Sequence, residues 1–190
     1  MNALGMDPVH DTRNCYRRLV DAYSRPGTIQ PLDDITTPVD RAVLATLVDG
    51  ETRLYSPDDA LCEALASQGR LDAADLDEAT IVHSHGSTDG GVAEAPRGSL
   101  KEPSQGATVV YRIPTLAAGD VTLDDAYDGT TVAIEGPGVP DRRTLTAALP
   151  ASEFEAIAQA QSTFPRGVDV VLTTEDRLAA LPRSIDLEVV

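Results

Sequence analysis

The stretch Phe164-Pro-Arg-Gly-Val-Asp-Val-Val-Leu-Thr173 decides how the rest of the chain is read. Pro165 and Gly167 predict a rigid turn, since proline fixes φ and glycine reaches backbone conformations closed to other residues. The β-branched run behind them predicts a strand of the buried type. Asp169 interrupts that run where an apolar side chain would cost less, so it requires an arginine or backbone amides as partners. Leu178-Ala-Ala-Leu-Pro-Arg183 follows closely. Either Arg183 or Arg17 is the candidate for a buried bridge to Asp169.

Upstream, Ala107 to Ile113, Thr130 to Glu135 and a segment around Arg143 to Ala147 predict strands. A helix from about Pro150 to Ser162 carries Phe154, Ile157, Ala158 and Gln161 along one side. Helices crowd the N-terminal half. Asp7-Pro8 or Asp11 caps the first, with Cys15, Leu19 and Ala22 at helical spacing, Tyr16, Val20 and Tyr23 on an adjoining line, and Pro26-Gly27 at its end. Thr37 caps a second, with Pro38 in its first turn and Asp40 near the positive end of its dipole, running to Asp49-Gly50. Ser56-Pro57-Asp58-Asp59 starts a third, whose buried stripe is Ala60, Leu61, Ala64 and Leu65 and whose stop is Gly69. Thr52 to Tyr55 and Ala79 to Ser84 predict short strands. Gly86 to Gly106 reads as a loop holding a partial turn or short helix. Helices early, strands late and no internal repeat predict one layered α/β or α+β domain over residues 1–190, a mixed β-sheet flanked by helices in preference to a doubly wound fold.

A chain of 190 residues, 42% of them hydrophobic, can bury one sizeable core. Its formal net charge is -16, aspartate outnumbers glutamate, and Lys101 is the sole lysine. Short, strongly hydrated carboxylates hold a solvation shell at high ionic strength, where their mutual repulsion is screened, and the composition resembles that of a salt-accumulating archaeon. A charge spread in this way marks no site. It excludes a nucleic-acid partner, because only Tyr111-Arg112 and Arg142-Arg143 put cations beside β-like segments. Met1 to Arg13 carries no apolar signal core and no run approaches a membrane span, so the expectation is a cytoplasmic protein without membrane contact. Cys15 and Cys62 read as reduced core thiols.

Candidate chemistry is sparse, and no catalytic residue is nominated. His83-Ser84-His85 places both imidazoles on one face of a strand with Asp89 nearby, the one constellation with metal-ligand character. Further ligands of the right type do not follow, and strand-end histidines beside Gly86 are read as solvated or hydrogen-bonded, so no metal is assigned. Gly136-Pro137-Gly138 forms either an anion-binding nest or a plain turn, and Pro137, which removes a donor, favours the turn.

Five blocks, in order, resemble one family. Tyr16-Arg17-Arg18-Leu19 leading to Ser24-Arg25-Pro26-Gly27 is similar to the opening helix of the PhnH subunit of the bacterial and archaeal carbon-phosphorus lyase system. Ala45 to Ser56, Gly106-Ala-Thr-Val109 and Ile134-Glu-Gly-Pro-Gly-Val139 are similar to its helix-to-strand turn, central strand and Gly-Pro-Gly loop. The Phe164 to Thr173 block with Leu181-Pro182-Arg183-Ser184 resembles its C-terminal signature, while segment 84–100 aligns with none of it. Pro26, Gly27, Gly106, Gly136, Gly138, Phe164, Pro165, Gly167, Asp169 and Pro182 are thereby the structural signature positions.

The resemblance implies a fold similar to the pyridoxal-phosphate-dependent transferases, without their cofactor. A working enzyme of that kind places a lysine at the cofactor, whereas Lys101 lies in a Gly/Pro-rich loop between Leu100 and Glu102-Pro103. Cys15 and Cys62 cannot hold an iron-sulfur cluster, and Lys101 follows no phosphate-cradling glycine, so the radical and ATPase roles of that system fall to other chains. The implied activity is support for transfer of a phosphonate to C1 of the ATP ribose with release of adenine, as in an alpha-D-ribose 1-methylphosphonate 5-triphosphate synthase. Arg17, Arg18 and Arg183 lie in the similar segments and are the candidate ligands for phosphonate or triphosphate, since a guanidinium fork donates to two oxygens at once. With no acid-base pair for departing adenine, the expectation is an accessory subunit that is a homodimer in isolation and docks to other subunits of the lyase core complex. Two rival readings remain: an enzyme that retains pyridoxal phosphate or a metal, and a stand-alone phosphonate or nucleotide binding module.

Overall fold

A computed structural model describes residues 4–123 and 129–190, so the reading of Met1 to Arg13 begins outside the described residues. In chain order the elements are α1 (His10–Ser24), β1 (Gln30–Pro31), α2 (Val39–Leu47), β2 (Arg53–Tyr55), α3 (Asp59–Ser67), β3 (Asp72–Ala73), β4 (Ile81–His85), β5 (Thr108–Arg112), β6 (Leu116–Ala118), β7 (Thr130–Glu135), β8 (Arg143–Ala147), α4 (Ala151–Gln161), β9 (Asp169–Thr173), β10 (Arg177–Leu181) and β11 (Asp186–Val189). Short 3-10 turns at Gly91–Glu94 and Pro103–Gln105 supply the partial helix expected between Gly86 and Gly106.

The strands form two sheets where the sequence predicted one. The larger has the order β1-β10-β9-β5-β4-β2-β3, parallel from β3 to β9 and antiparallel at β10 and β1. The smaller, β11-β7-β8-β6, is antiparallel throughout. A parallel strand buried on both faces needs an apolar side chain at nearly every position, which is why Val170-Val171-Leu172 shows no polar alternation. Period-two geometry then sorts β5 between two cores. Val110 packs with Ile81, Val171 and the apolar stripes of α1, α2 and α3. Val109 and Tyr111 pack with Val170, Leu172, α4 and the inner face of the small sheet. The result is a layered α/β arrangement in which one crossover, from β5 to β9, carries β6, β7 and β8 of the small sheet as well as α4, and β11 joins that sheet after β10.

Several local expectations shift. Thr37 does not cap α2; its hydroxyl donates to the Leu4 carbonyl at 2.7 Å, and the helix stops at Leu47. Ala60 is exposed, so the buried stripe of α3 is Leu61 and Leu65, with Ala64 partly covered. Asp58 does cap α3, accepting from the Leu61 amide at 3.1 Å. Tyr16 and Val20, on the second line of α1, stay exposed. No helix among the described residues is long and apolar enough to cross a membrane.

Candidate functional site

β2, β4, β5 and β9 are parallel, and their C-terminal ends share one edge of the large sheet. In such sheets ligands bind outside the carboxyl ends of the strands, where helix starts and loops converge. Here that edge holds Ser56, His83, His85, Arg112 and Glu175. A cleft of about 510 Å³ opens there, lined by His85, Gly86, Arg112, Ile113, Pro114 and Glu175. A smaller one of about 330 Å³ lies on the other side of His85, toward Tyr55 and Pro57. The first falls in the range of small-ligand sites.

His83 and His85 alternate with Ile81 on the helical face of β4, and Arg112 shares that face with Val110 on β5. The first turn of α2 lies against the same face and delivers Asp40 among Val39, Ala42 and Val43. The Asp40 and His83 side chains are both fully buried. His83 Nε2 stands 3.2 Å from Asp40 Oδ2 and its Nδ1 stands 2.8 Å from Ser56 Oγ, so both ring nitrogens are fixed. Ser56 Oγ also accepts from the Asp58 amide at 3.1 Å, tying the relay to the start of α3. Arg112 approaches Asp40 Oδ2 at 3.8 Å and bonds Glu175 at 3.3 Å on its outer side. Asp40 Oδ1 meets no donor in hydrogen-bond geometry among the described residues, only the weaker pull of the Arg41 amide.

The electrostatics follow from those contacts. Burial pushes the Asp40 carboxyl up, but the His83 hydrogen bond and the charge of Arg112 more than offset it, and the net shift is downward. Asp40 is therefore a buried carboxylate anion. His85 is shifted down by partial burial and by His83, whose ring meets it edge-on at 4.8 Å. A neutral imidazole with an available lone pair thus borders the cleft.

The opposite face carries a second buried polar group. Glu153, on α4 beside Phe154, accepts from Ser87 Oγ at 2.7 Å, Thr88 N at 3.1 Å, Thr88 Oγ1 at 2.6 Å, Gly90 N at 3.0 Å and Tyr111 Oη at 2.6 Å. These bonds pin the turn that leaves β4 directly beyond His85. Burial raises the Glu153 carboxyl, while the hydroxyls of Thr88, Tyr111 and Ser87 with the Gly90 amide bring it below its ordinary value. Tyr111 is pushed well up by burial and by Glu153, and serves as a fixed donor.

The residues singled out from sequence lie mostly elsewhere. Asp169 and Arg183 do pair: the Arg183 amide and Nε reach the Asp169 carboxylate at 2.8 and 3.1 Å, and the guanidinium also donates to the Pro103 and Gly106 carbonyls. That corner sits at the N-terminal ends of β5 and β9, across the sheet from the cleft. Gly106 and Gly167 belong to it, for a Cβ on Gly106 would overlap Gly167 O and the Arg183 guanidinium. Pro182 precedes Arg183, and Phe164-Pro165, joined by a cis peptide bond, lead into Gly167 with Phe164 exposed. Pro26-Gly27 and Gly136-Pro137-Gly138 pack on each other, with a Cβ on Gly138 only 2.7 Å from Ser24 O. The latter segment is a turn closed by Val139 N to Gly136 O at 3.1 Å. Arg17 and Arg18 lie on α1 beside a hollow of about 220 Å³ shared with Asn14, Asp21 and Asp34, far along the chain from Arg183. Arg183 does not line that hollow. Asp89 is exposed in the turn 87–90, and the carboxylate beside the two imidazoles is Asp40. Lys101 is exposed in the loop before β5, at the N-terminal edge. Cys15 and Cys62 are free thiols, the first raised to about 11 by burial.

Sequence reasoning missed Asp40, Ser56, Arg112 and Glu153 as site residues. Asp40 was read only as a dipole partner, and the usable signal was an acid within the apolar run Val39 to Ala45. Glu153 carries the same signal beside Phe154 and Ala156.

Over residues 5–188 the chain matches the family described as Bacterial phosphonate metabolism protein (PhnH). A relative from Stutzerimonas stutzeri, named as the C-P lyase subunit protein HtxG, is 30% identical over 175 residues, covering 90% of this chain and 83% of that protein. A second, from Rhizobium meliloti (strain 1021), is named as the alpha-D-ribose 1-methylphosphonate 5-triphosphate synthase subunit PhnH; it is 27% identical over 198 residues, covering 96% of this chain and 92% of that protein. With a match that runs through the Asp169–Arg183 corner and the cleft alike, the chain belongs to the PhnH family.

Proposed function

We propose that this chain is a subunit of a carbon-phosphorus lyase assembly and supports the transfer of a phosphonate to C1 of the ATP ribose with loss of adenine. The observation that carries this reading is the match over residues 5–188 to a family of phosphonate metabolism proteins, joined to a relative named as a synthase subunit and covered over 92% of its length. The scaffold is read as related to the pyridoxal-phosphate-dependent transferases. In favour of that reading is a cleft at the C-terminal edge of a parallel sheet; the sole lysine stands at the opposite edge. The chain works by docking. Val9, Tyr16 and Val20, exposed by 66, 58 and 48% along α1, supply an apolar surface for a second copy or a neighbouring subunit.

Coexpression with the other subunits tests the reading directly. A stable complex containing this chain, with adenine release from ATP and methylphosphonate lost when the chain is omitted, supports it; consistent elution of the chain alone, with undiminished turnover by the remainder, refutes it. A second reading, a binding module for phosphonate or nucleotide, draws on the cleft with Arg112 at its rim. Calorimetry of the isolated chain with ATP and with methylphosphonate separates the two.

A further inference from the structure

We propose that Asp40, His83 and His85 form a binding site for a divalent transition metal, zinc above all, at the floor of the cleft. The three side chains offer one oxygen and two imidazole nitrogens, all within 4.8 Å of one another. Zinc takes imidazole nitrogen and carboxylate oxygen at about 2.0–2.2 Å, and two such ligands on a tetrahedral ion stand about 3.3 Å apart. Asp40 Oδ2 and His83 Nε2 already stand 3.2 Å apart. His85 closes the set by a side-chain rotation, for which its exposure at the cleft leaves room.

Three further observations favour an ion. Asp40 Oδ1 is buried and among the described residues meets only the weaker pull of the Arg41 amide, so a cation held by the same carboxylate adds compensation that the protein supplies sparingly. A metal at His83 Nε2 displaces the proton shared there with Asp40, and Ser56 Oγ, 2.8 Å from Nδ1, is placed to accept a proton carried on Nδ1 in its stead, the outer-shell arrangement that fixes tautomer and ring plane. Among the described residues the fully buried Asp40 carboxylate has His83 at 3.2 Å and Arg112, itself one-third exposed, at 3.8 Å as its ion-pair contacts. Two histidines and one carboxylate leave a fourth position open toward the cleft, where water or an anionic oxygen would coordinate with Arg112 beside it. The inference stands on this geometry and not on the subunit reading.

Cobalt(II) titration of the tag-free, chelator-stripped chain tests it. The expected result is one equivalent of cobalt per chain, with visible d–d bands that zinc abolishes by displacement. His85→Ala should weaken binding by more than about 100-fold, and Ser56→Ala by about 10–100-fold as an outer-shell partner. Asp89→Asn should bind as the wild type does. Circular dichroism establishes that each variant is folded, and His85→Gln replaces His85→Ala if the latter is not. Equal affinity in wild type and the His85 variant, or no cobalt bands at a fivefold excess, overturns the assignment.

Discussion

Glu153→Gln perturbs a buried side chain that accepts five hydrogen bonds by exchanging one oxygen for NH₂. In the wild type, Oε1 accepts from the Thr88 amide, the Thr88 hydroxyl and Tyr111, and Oε2 from Ser87 and the Gly90 amide. A glutamine keeps the first group through its carbonyl, and Ser87 can rotate to accept from the new NH₂. The Gly90 N–H cannot, so one buried donor faces another at a cost of about 1–3 kcal/mol. The surviving bonds lose their charge assistance, roughly 1 kcal/mol each, partly offset because a charge no longer has to be buried. The net expectation is a loss of about 2–4 kcal/mol, a drop of about 5–15 °C in Tm for a chain of this size.

Acid adds a second readout to the same substitution. Glu153 has a folded-state value below its ordinary 4.5, so its contribution is fully present above the unfolded value and disappears as pH falls through the folded one. The gap between wild type and Glu153→Gln should therefore narrow as denaturant titrations move from about pH 6 to about pH 3. A variant that melts within about 1 °C of wild type, or a gap that does not depend on pH, refutes the reasoning.

Arg183→Ala removes the guanidinium from a carboxylate exposed by only 21%, which keeps the backbone amide of residue 183, and takes one donor each from the Pro103 and Gly106 carbonyls, so urea unfolding should show a loss of about 2–4 kcal/mol, less than for a fully buried pair. Gly106→Ala forces a methyl group into Gly167 O and the Arg183 guanidinium, so thermal melts should show about 3 kcal/mol of overpacking cost with the cleft unaltered. With a net charge of -16, the denaturation midpoint should rise as sodium chloride goes from about 0.1 to about 1 M, since the screening length falls from about 10 to about 3 Å; a midpoint that falls would contradict the screening account. If the exposed apolar side of α1 docks a second copy as proposed, Tyr16→Asp with Val20→Asp should shift sedimentation toward the monomer, and unchanged sedimentation would count against that docking.

The strands that periodicity can report were legible in the sequence. β7 and β8 occupy the residues expected of them, β9 begins at Asp169 inside the predicted run, and α1 buries Cys15, Leu19 and Ala22 as its spacing demands. β1, β3, β6, β10 and β11 were not: the first three are only two or three residues long, and all five take their order from the neighbours they pair with. The division into two sheets was equally hidden, since local pattern does not say which strand a strand will join. For the site the division is sharper. The Asp169 pair was legible because a lone acid in an apolar strand announces an unmet need. Asp40 and His83 are 43 positions apart and meet only because α2 packs on β4. Motif spacing therefore pointed to Asp89 in place of Asp40.

The single lysine at the far rim of the large sheet has a practical corollary. Amine-reactive reagents will modify Lys101 and, apart from it, only the chain's amino terminus. A fluorophore attached there stands beyond the Asp169–Arg183 corner and touches none of the groups around Arg112, so it can report the approach of a neighbouring subunit by energy transfer while ligand binding on the other rim is followed independently.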